Sequence, residues 1–273
     1  MAPCFPCRRY SMWLKEDAHI QKRDINLKNP FVNAAGTLGF APHPPSMPFL
    51  KYLGAFITNP ISRFARQPAG NRTCLSFPGG LLLHSGHPNP GISHIIRRFS
   101  RRWASAPLPI IVHLLVETPH TLTEMVHKLE GLENILALEL GLPPDIDPQA
   151  LPTLMEAAQG ELPLILALSF DQVPSLLEVI SQLQPSAIHL TEPRGMLSGQ
   201  DGKWVRGRLD GPAIFPLMVK AAKQLVEVKL RVIVNAGVYL RWQADALLAS
   251  GVFAVALGSA LWQVNTDNLF LTL

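Results

Sequence analysis

Residues 232–262 read VIVNAGVYLRWQADALLASGVFAVALGSALW. Apolar runs at Val232–Ala236 and Ala254–Leu257 predict two buried strands, and the pattern between them, Arg241–Ser250, predicts a helix. Gly251 follows this helix at the position where a left-handed C-terminal cap belongs. A helix between two buried strands is the repeating unit of a parallel sheet, so this stretch predicts an α/β fold.

The same unit recurs through the rest of the chain. The apolar runs lack the polar alternation of a one-sided sheet, so each strand is expected to be covered on both faces. Eight such strands in 273 residues predict a closed (β/α)8 TIM barrel. A doubly wound open sheet is the alternative, but no glycine-rich dinucleotide fingerprint follows the first strand. The predicted strands are Phe31–Ala35, Ala55–Thr58, Ile110–Val116, Ala137–Leu140, Leu164–Leu168, Ala187–Leu190, Val232–Ala236 and Ala254–Leu257.

Helical patterns fill most of the gaps between these strands. Thr121 is the expected N-cap of one helix, with Glu124 completing a capping box. Two connections, 60–91 and 193–212, are too long for simple turns. Both follow a strand, so we expect functional loops at the C-terminal face, where barrel active sites form. The predicted helices are Ile92–Trp103, Thr121–Leu129, Pro148–Ala158, Val173–Leu183, Ala213–Glu227 and Arg241–Ser250.

Composition predicts a globular chain, with 48% hydrophobic and 16% charged residues. Residues 1–24 are expected to be an N-terminal tail and residues 25–273 a single barrel. The net charge of +4 fits an anionic ligand or a weakly acidic partner, but it is too mild to indicate nucleic acid. No signal peptide and no membrane-length apolar stretch occur, which predicts a cytoplasmic protein without a membrane partner.

The three cysteines are too few for a disulfide scaffold. Cys4 and Cys7 have the spacing of a metal knuckle or redox pair, but no second Cys or His pair follows nearby. A loose terminal tail is the alternative, and no metal is predicted.

Glycines at the last two strand ends indicate a phosphate site. Asn235 and Gly237 end one strand, and Gly258 and Ser259 end the next. In barrels these loops often hold a phosphate through backbone N–H groups. Gly211, just before a predicted helix, would add a third contact. Ordinary tight packing at strand ends is the alternative explanation for the glycines.

Several motifs, in the right order, resemble those of one enzyme family. They are NPFVNAAGTLGF (29–40), LGAFITNPIS (53–62), GHPNPGI (86–92), GRLDGPAIFP (207–216) and the stretch 232–262. They resemble the dihydroorotate dehydrogenases, above all the soluble class 1 branch. The resemblance implies a barrel of the pyrimidine-biosynthesis type with FMN on its C-terminal face. There the flavin would accept a hydride from dihydroorotate, while a loop Cys or Ser removes a proton.

The resemblance also implies a set of ligand contacts. Ala35 and Gly36 match the first-strand segment that lies against the flavin. Asn89 is retained near the substrate and Thr191 stands at a substrate position. The implied cofactor contacts are Ala35, Gly36, Asn59, Gly211, Asn235, Gly237, Gly258 and Ser259.

Many of the family's side chains are replaced. Asn59 and Ala167 stand where the family has lysines, and Leu83, Gly141 and Thr191 where it has asparagines. Leu142, Pro143 and Pro144 replace the Cys or Ser loop, and none of them can accept a proton. Asp145 is the remaining candidate for the base. Since both the base and the positive charges near the flavin are lost, we expect inefficient oxidation of dihydroorotate.

Other polar residues have a functional and a structural interpretation. His84, Ser85 and His87 could titrate or bind a metal, or form a plain polar loop. His113 and His189 could line the ligand pocket or be hydrogen-bonded core residues, and Ser198 could donate a hydroxyl. One helix carries four arginines that could dock an acidic partner or face solvent. They are Arg97, Arg98, Arg101 and Arg102.

Three functions stay open from the sequence. The chain could be a flavin oxidoreductase with another substrate, its proton handled by Asp145 or a histidine. It could be a non-catalytic barrel, as a homodimer or a partner subunit. It could also be an enzyme that holds a phosphorylated small molecule without flavin.

Overall fold

The computed structural model describes residues 25–70, 74–199 and 202–262. The predicted N-terminal tail, with Cys4 and Cys7, lies outside the described residues, as does the end of the chain after Trp262. The strands, in chain order, are β1 (Phe31–Asn33), β2 (Phe56–Ile57), β3 (Cys74–Phe77), β4 (Gly80–Leu83), β5 (Ile110–Leu115), β6 (Ile135–Gly141), β7 (Leu164–Ser169), β8 (Ala187–Thr191), β9 (Arg194–Ser198), β10 (Trp204–Asp210), β11 (Val232–Asn235) and β12 (Ala254–Leu257).

Eight strands form one parallel sheet in the order β1-β12-β11-β8-β7-β6-β5-β2. A parallel bridge between Val32 and Ala55 brings the segment before β2 back to β1. The backbone N–H of Gly54 also donates to the carbonyl of Phe31 at 2.7 Å. These contacts join the two ends of the sheet, which confirms the predicted (β/α)8 barrel and all eight of its predicted strands.

Both faces of the barrel sheet are buried because its strands are apolar on both sides. Ile57, Ile111 and Ile165 belong to the cluster that fills the barrel interior. Alternate residues, such as Val112 and Leu166, belong to the larger cluster between the sheet and the helices. The missing polar alternation therefore predicted the environment of each strand correctly.

Six α-helices of the described residues surround the barrel. They are α1 (Ile92–Ala104), α2 (Pro119–Leu129), α3 (Leu151–Ala157), α4 (Val173–Leu183), α5 (Phe215–Glu227) and α6 (Arg241–Ala249). The predicted cap of α2 is wrong: Thr118, not Thr121, is the N-cap, and Thr121 is its capping-box partner. Pro119 fills the first helical position, where a missing N–H costs nothing, so the helix begins two residues earlier.

The two long connections are not plain loops, which corrects the prediction. They supply β3 and β4 from the first connection and β9 and β10 from the second. These four strands form an antiparallel sheet in the order β3-β4-β10-β9. Arg208 and Asp210 of β10 lie opposite Leu83 and Leu81 of β4. Asp210 is the last residue of β10, so the added sheet carries its carboxylate to the barrel.

No helix in the described part of the chain is long and apolar enough to cross a membrane.

Candidate functional site

The upper interior of the barrel, at the carboxyl ends of the strands, is lined by small residues. Ala137, Ile165 and Ala256 face inward, and side chains alternate along a strand. The next inward positions toward the carboxyl ends are Glu139, Ala167 and Gly258, and Gly141 follows Glu139. The two glycines make room for side chains of other elements at the barrel mouth, because His113 lies against Gly141 and Asp210 lies against Gly258.

The carboxylate of Asp210 occupies the space between the last two strand ends. Its Oδ2 accepts from the backbone N–H of Ser259 at 3.2 Å and from the Ser259 hydroxyl at 2.6 Å. The backbone N–H of Gly237 donates to the same carboxylate. The side chain is 2% exposed. The donors expected to hold a phosphate therefore hold an internal carboxylate.

Gly258 is needed for this arrangement. A Cβ atom added there would lie 3.0 Å from Oδ2 of Asp210 and 3.3 Å from Oδ1 of Asn235. That spacing is tighter than ordinary van der Waals contact, so a larger residue would press on the carboxylate. Because residue 258 is a glycine, the carboxylate of Asp210 can lie directly beside the end of β12.

Burial raises the pKa of Asp210, and the nearby Glu192 carboxylate raises this pKa further. The hydrogen bonds from Ser259 and Gly237 oppose the rise. Burial, followed by the charge of Asp210, raises the pKa of Tyr239 to about 12. Tyr239 therefore stays protonated at neutral pH, with its hydroxyl 2.5 Å from that of Ser259.

A second internal group lies against the first-strand segment expected to face a flavin. Nη2 of Arg208 lies 3.9 Å from the position of a Cβ atom added at Gly36. Nη1 of Arg208 lies 3.5 Å from Oε2 of Glu192. Glu192 is 4% exposed, and this oxygen has no hydrogen-bond partner among the described residues. The pair is therefore close but lacks hydrogen-bond geometry.

These residues do not fit FMN in the arrangement that the resemblance implies. A phosphate at the ends of β11 and β12 would need the N–H groups that Asp210 accepts from. The phosphate would also lie close to the carboxylate of Asp210, and these two like charges would repel each other.

Below the mouth, Glu139 lies between two histidines. Nδ1 of His113 is 2.5 Å from Oε1 of Glu139, and Nδ1 of His189 is 2.7 Å from Oε2. Burial alone would raise the pKa of Glu139, but the charge of His189 and the hydrogen bond from His113 outweigh it and lower the pKa. Glu139 is therefore ionised at neutral pH, and both predicted histidines face inward.

The side chains of the other predicted site residues form hydrogen bonds within the protein. Asn59 accepts from the N–H of Gly39, and Asn235 from that of Ala236. Asn89 bridges Ser62, His87 and Gly91 and so fixes the loop before α1. These side chains hold the backbone in place at the positions where ligand contacts were expected.

The remaining predicted contacts lie at the barrel rim. The Thr191 hydroxyl donates to the carbonyl of Leu168 at 3.2 Å. Gly211 packs against the turn between β3 and β4, where an added Cβ would lie 2.3 Å from the carbonyl oxygen of Gly79. Ala35 is partly buried beside Gly36.

The candidate base Asp145 is exposed. Leu142 points into the core between sheet and helices. Gln172 donates to the carbonyl of Pro143 at 2.6 Å, which fixes the loop after β6. Asp145 follows this fixed segment and lies close enough to Arg194 to interact with its charge. Asp145 is therefore not among the residues that face into the barrel, and its role as a base stays a prediction.

Four residues of the site were missed in the sequence: Glu139, Glu192, Arg208 and Asp210. Glu139 did leave a signal, because it is the one charged residue in the apolar run Leu136–Leu140. Asp210 stands inside one of the motifs that carry the resemblance, where its charge is unfavourable for a phosphate. Among the described residues, no group of three or more His, Cys, Asp or Glu is arranged to hold a metal ion.

His87 gives the site an acid-sensitive element. Burial and the charges of Arg208, His113, Arg66 and Arg194 lower its pKa from 6.5 to about 3. A histidine with a lowered pKa resists protonation when folded, so stability is lost as the pH falls below 6.5.

We expect His87→Asn to reduce acid destabilisation between pH 6.5 and 4.5 by on the order of 2 kcal/mol. Asparagine tolerates the left-handed backbone of His87, whose φ is 53°. Urea unfolding of both proteins across this pH range measures the effect, with the exposed His120→Asn as the control. Parallel pH profiles for wild type and His87→Asn would contradict it.

Fold and site together define a parallel (β/α)8 barrel whose polar mouth is filled by its own carboxylates and guanidinium group. No protein-family model matches the chain. The chain is similar to proteins named dihydroorotate dehydrogenase B (NAD(+)), catalytic subunit. One, from Geotalea uraniireducens, is 28% identical over 90% of this chain and 88% of the relative. Another, from Geobacter sulfurreducens, is 26% identical over the same shares.

Proposed function

We propose that this chain is a dihydroorotate dehydrogenase-like oxidoreductase barrel that has lost flavin-dependent oxidation of dihydroorotate. The relatives at 25–28% identity over about nine tenths of the chain support the family-level part. The position of Asp210 carries the rest. Its carboxylate takes the backbone donors that an FMN phosphate would use. A phosphorylated ligand without flavin is disfavoured for the same reason.

The loop after β6 supports this proposal independently. Gly141, Leu142 and Pro143 carry no group that accepts a proton from carbon, and Asp145 is exposed. Loss of a general base lowers a rate by roughly 10²–10⁴-fold. Ala167 cannot supply the positive charge that stabilises a reduced flavin. Each preorganised electrostatic contact of that kind contributes about 3–4 kcal/mol to transition-state stabilisation.

We expect purified protein, supplied with excess FMN and an electron-accepting dye, to oxidise dihydroorotate at least roughly 10³-fold more slowly than the Geobacter sulfurreducens relative. Dye reduction, followed by absorbance in the same assay for both proteins, measures this. The relative is the positive control for reagents and cofactor. An equal rate for the two proteins would contradict the proposal.

A binding role is the second candidate, favoured by the surface of α1. Arg97, Arg98, Arg101 and Arg102 lie on this helix, which has no acidic residue in its first turn. Arg98 and Arg102 stack on Phe99, and no ion pair to these arginines occurs among the described residues. Such a basic surface fits an acidic partner subunit.

A further inference from the structure

We propose that the free edge of β9 pairs with β9 of a second copy of this chain, so that the two added sheets join into one antiparallel sheet across a two-fold axis. Among the described residues, β9 ends the strand order β3-β4-β10-β9, so it has a strand neighbour on one side only. This pairing requires neither a ligand nor a catalytic step, so it is independent of the proposed function.

The hydrogen bonds between β9 and β10 show which groups of β9 face outward. The backbone N–H of Leu209 donates to the carbonyl of Pro193, and that of Gly199 donates to the carbonyl of Lys203. In an antiparallel pair, residues that bond to the neighbouring strand alternate with residues whose groups point away from it. The odd-numbered residues of β9 therefore bond to β10, and the even-numbered residues direct their N–H and C=O groups to the free edge.

The second half of this edge is open. Its even-numbered residues are Met196 and Ser198, and their outward N–H groups have no partner among the described residues. By contrast, the N–H of Arg194 donates to Oδ2 of Asp171 at 2.6 Å, so the protein itself covers the start of the edge. The sequence of β9, RGMLS, contains neither the lysine nor the proline that commonly protects an edge strand from pairing.

The covered start of the edge fixes the register of a second copy. A two-fold axis through Met196 would bring the carbonyl of Ser198 from the second copy to the N–H of Arg194. Asp171 already occupies that position. A two-fold axis through Leu197 instead pairs Met196 with Ser198 of the second copy. β9 ends at Ser198, so the second copy then has no strand residue opposite Arg194. In this register Met196 and Ser198 of each copy donate and accept, which gives four backbone hydrogen bonds.

The side chains on the exposed face fit the same register. On β10, Trp204 lies directly opposite Ser198, and Arg206 lies directly opposite Met196. Because directly opposite residues share a face, Ser198 would lie between Trp204 and Met196 of the second copy. Serine is small, so the indole ring can reach over it to the methionine sulfur. Sulfur–aromatic contacts of this kind are favourable.

The pairing also covers apolar surface that a single copy exposes. Trp204 is 68% exposed and Met196 is 46% exposed. Leu197 is partly buried on the other face and would meet Leu197 of the second copy at the axis. Across the axis no arginine lies opposite an arginine, because Arg206 is followed by Met196 and then by Ser198 of the second copy. The surface is therefore complementary to itself, as a two-fold dimer requires.

Sedimentation velocity of the full chain, over a range of micromolar concentrations, tests the dimer. We expect wild type to move from monomer to dimer as its concentration rises. Ser198→Pro removes the outward N–H and no bond to β10, so it deletes two of the four shared hydrogen bonds. This variant should dimerise at least roughly 10-fold more weakly than wild type. The matched control is Ser76→Pro, at an exposed position of the opposite edge strand β3, and it should dimerise as wild type does.

A second variant separates a lost contact from a damaged fold. Trp204→Ala should also weaken the dimer, but it should leave the free energy of unfolding by urea close to that of wild type, because the indole is exposed in a single copy. Wild type that stays monomeric up to high micromolar concentrations would overturn the proposal. Dimerisation of Ser198→Pro and Trp204→Ala with the affinity of wild type would overturn it as well.

A cross-link tests the register. Leu197→Cys places a thiol at the two-fold axis, opposite the same thiol of the second copy. The Cα atoms of such a non-hydrogen-bonded pair lie about 4.5 Å apart, within the range that a disulfide spans. Mild oxidation should therefore link Leu197→Cys into dimers that a reductant separates. Wild type under the same oxidation gives the background from the native cysteines, and dimers of Leu197→Cys that are not linked above this background would overturn the proposed pairing.

Discussion

Replacing Glu139 with leucine should lower the free energy of unfolding by about 3–5 kcal/mol. The change leaves Nδ1 of His113 and Nδ1 of His189 without an acceptor inside the barrel, where water cannot replace it. His189 is fully buried, so its polar nitrogens have no access to solvent. Urea unfolding at pH 7, followed by tryptophan fluorescence, measures the loss.

Two matched variants show whether the carboxylate is responsible. Glu139→Gln keeps one acceptor oxygen and should cost clearly less, because one imidazole can change tautomer to accept from the amide. Replacing His113, Glu139 and His189 together with leucine should recover most of the stability, since no buried polar group is left unpaired. A cost below about 1 kcal/mol for Glu139→Leu would mean that Glu139 is not the shared acceptor.

The lowered pKa of Glu139 adds a pH signature to this prediction. An acid whose pKa is lowered by folding contributes stability above its unfolded value, and that stability is lost as the pH falls. The contribution of Glu139 should therefore be present above pH 4.5 and decline below it. The difference in stability between wild type and Glu139→Gln should shrink in that acid range.

Asp210→Ser should create an anion site at the ends of β11 and β12. The change frees the N–H groups of Gly237 and Ser259 and removes a buried negative charge beside them. We expect inorganic phosphate to bind this variant at least roughly 10²-fold more tightly than wild type, equivalent to about 2.7 kcal/mol. Isothermal titration calorimetry with phosphate measures the gain.

The control for this prediction is Asp245→Ser on the surface of α6. It makes the same change of charge, but Asp245 lies on the exposed surface of α6, where it pairs with Arg241. It should bind phosphate as weakly as wild type. Equal phosphate affinity in Asp210→Ser and wild type would show that Asp210 is not what fills the anion site.

The barrel could be predicted from the sequence because each of its strands can be recognised from its own residues, without knowing which strands it pairs with. A run such as Leu164–Leu168 is apolar at every position, as expected for a strand that is covered on both faces, and all of it is buried. The added antiparallel sheet could not be predicted in the same way. Its strands come from two distant segments. The positions of β9 alternate between exposed and partly buried, but its residues, RGMLS, do not alternate between polar and apolar types.

The site was harder to predict for a different physical reason. A glycine at a strand end leaves space, but its spacing does not say what enters that space. At Gly258 the space admits Asp210 from another sheet, and at Gly141 it admits His113 from the neighbouring strand. Both contacts depend on side-chain direction across elements.

Asp210 should prevent FMN from binding at the ends of β11 and β12. Two measurements on the purified wild-type protein test the role of Asp210 directly. One is a titration with FMN, and the other is the flavin fluorescence that remains after dialysis. We predict no flavin in the isolated protein and a dissociation constant weaker than about 1 mM. Wild-type protein that is isolated with one tightly bound FMN per chain would contradict this account.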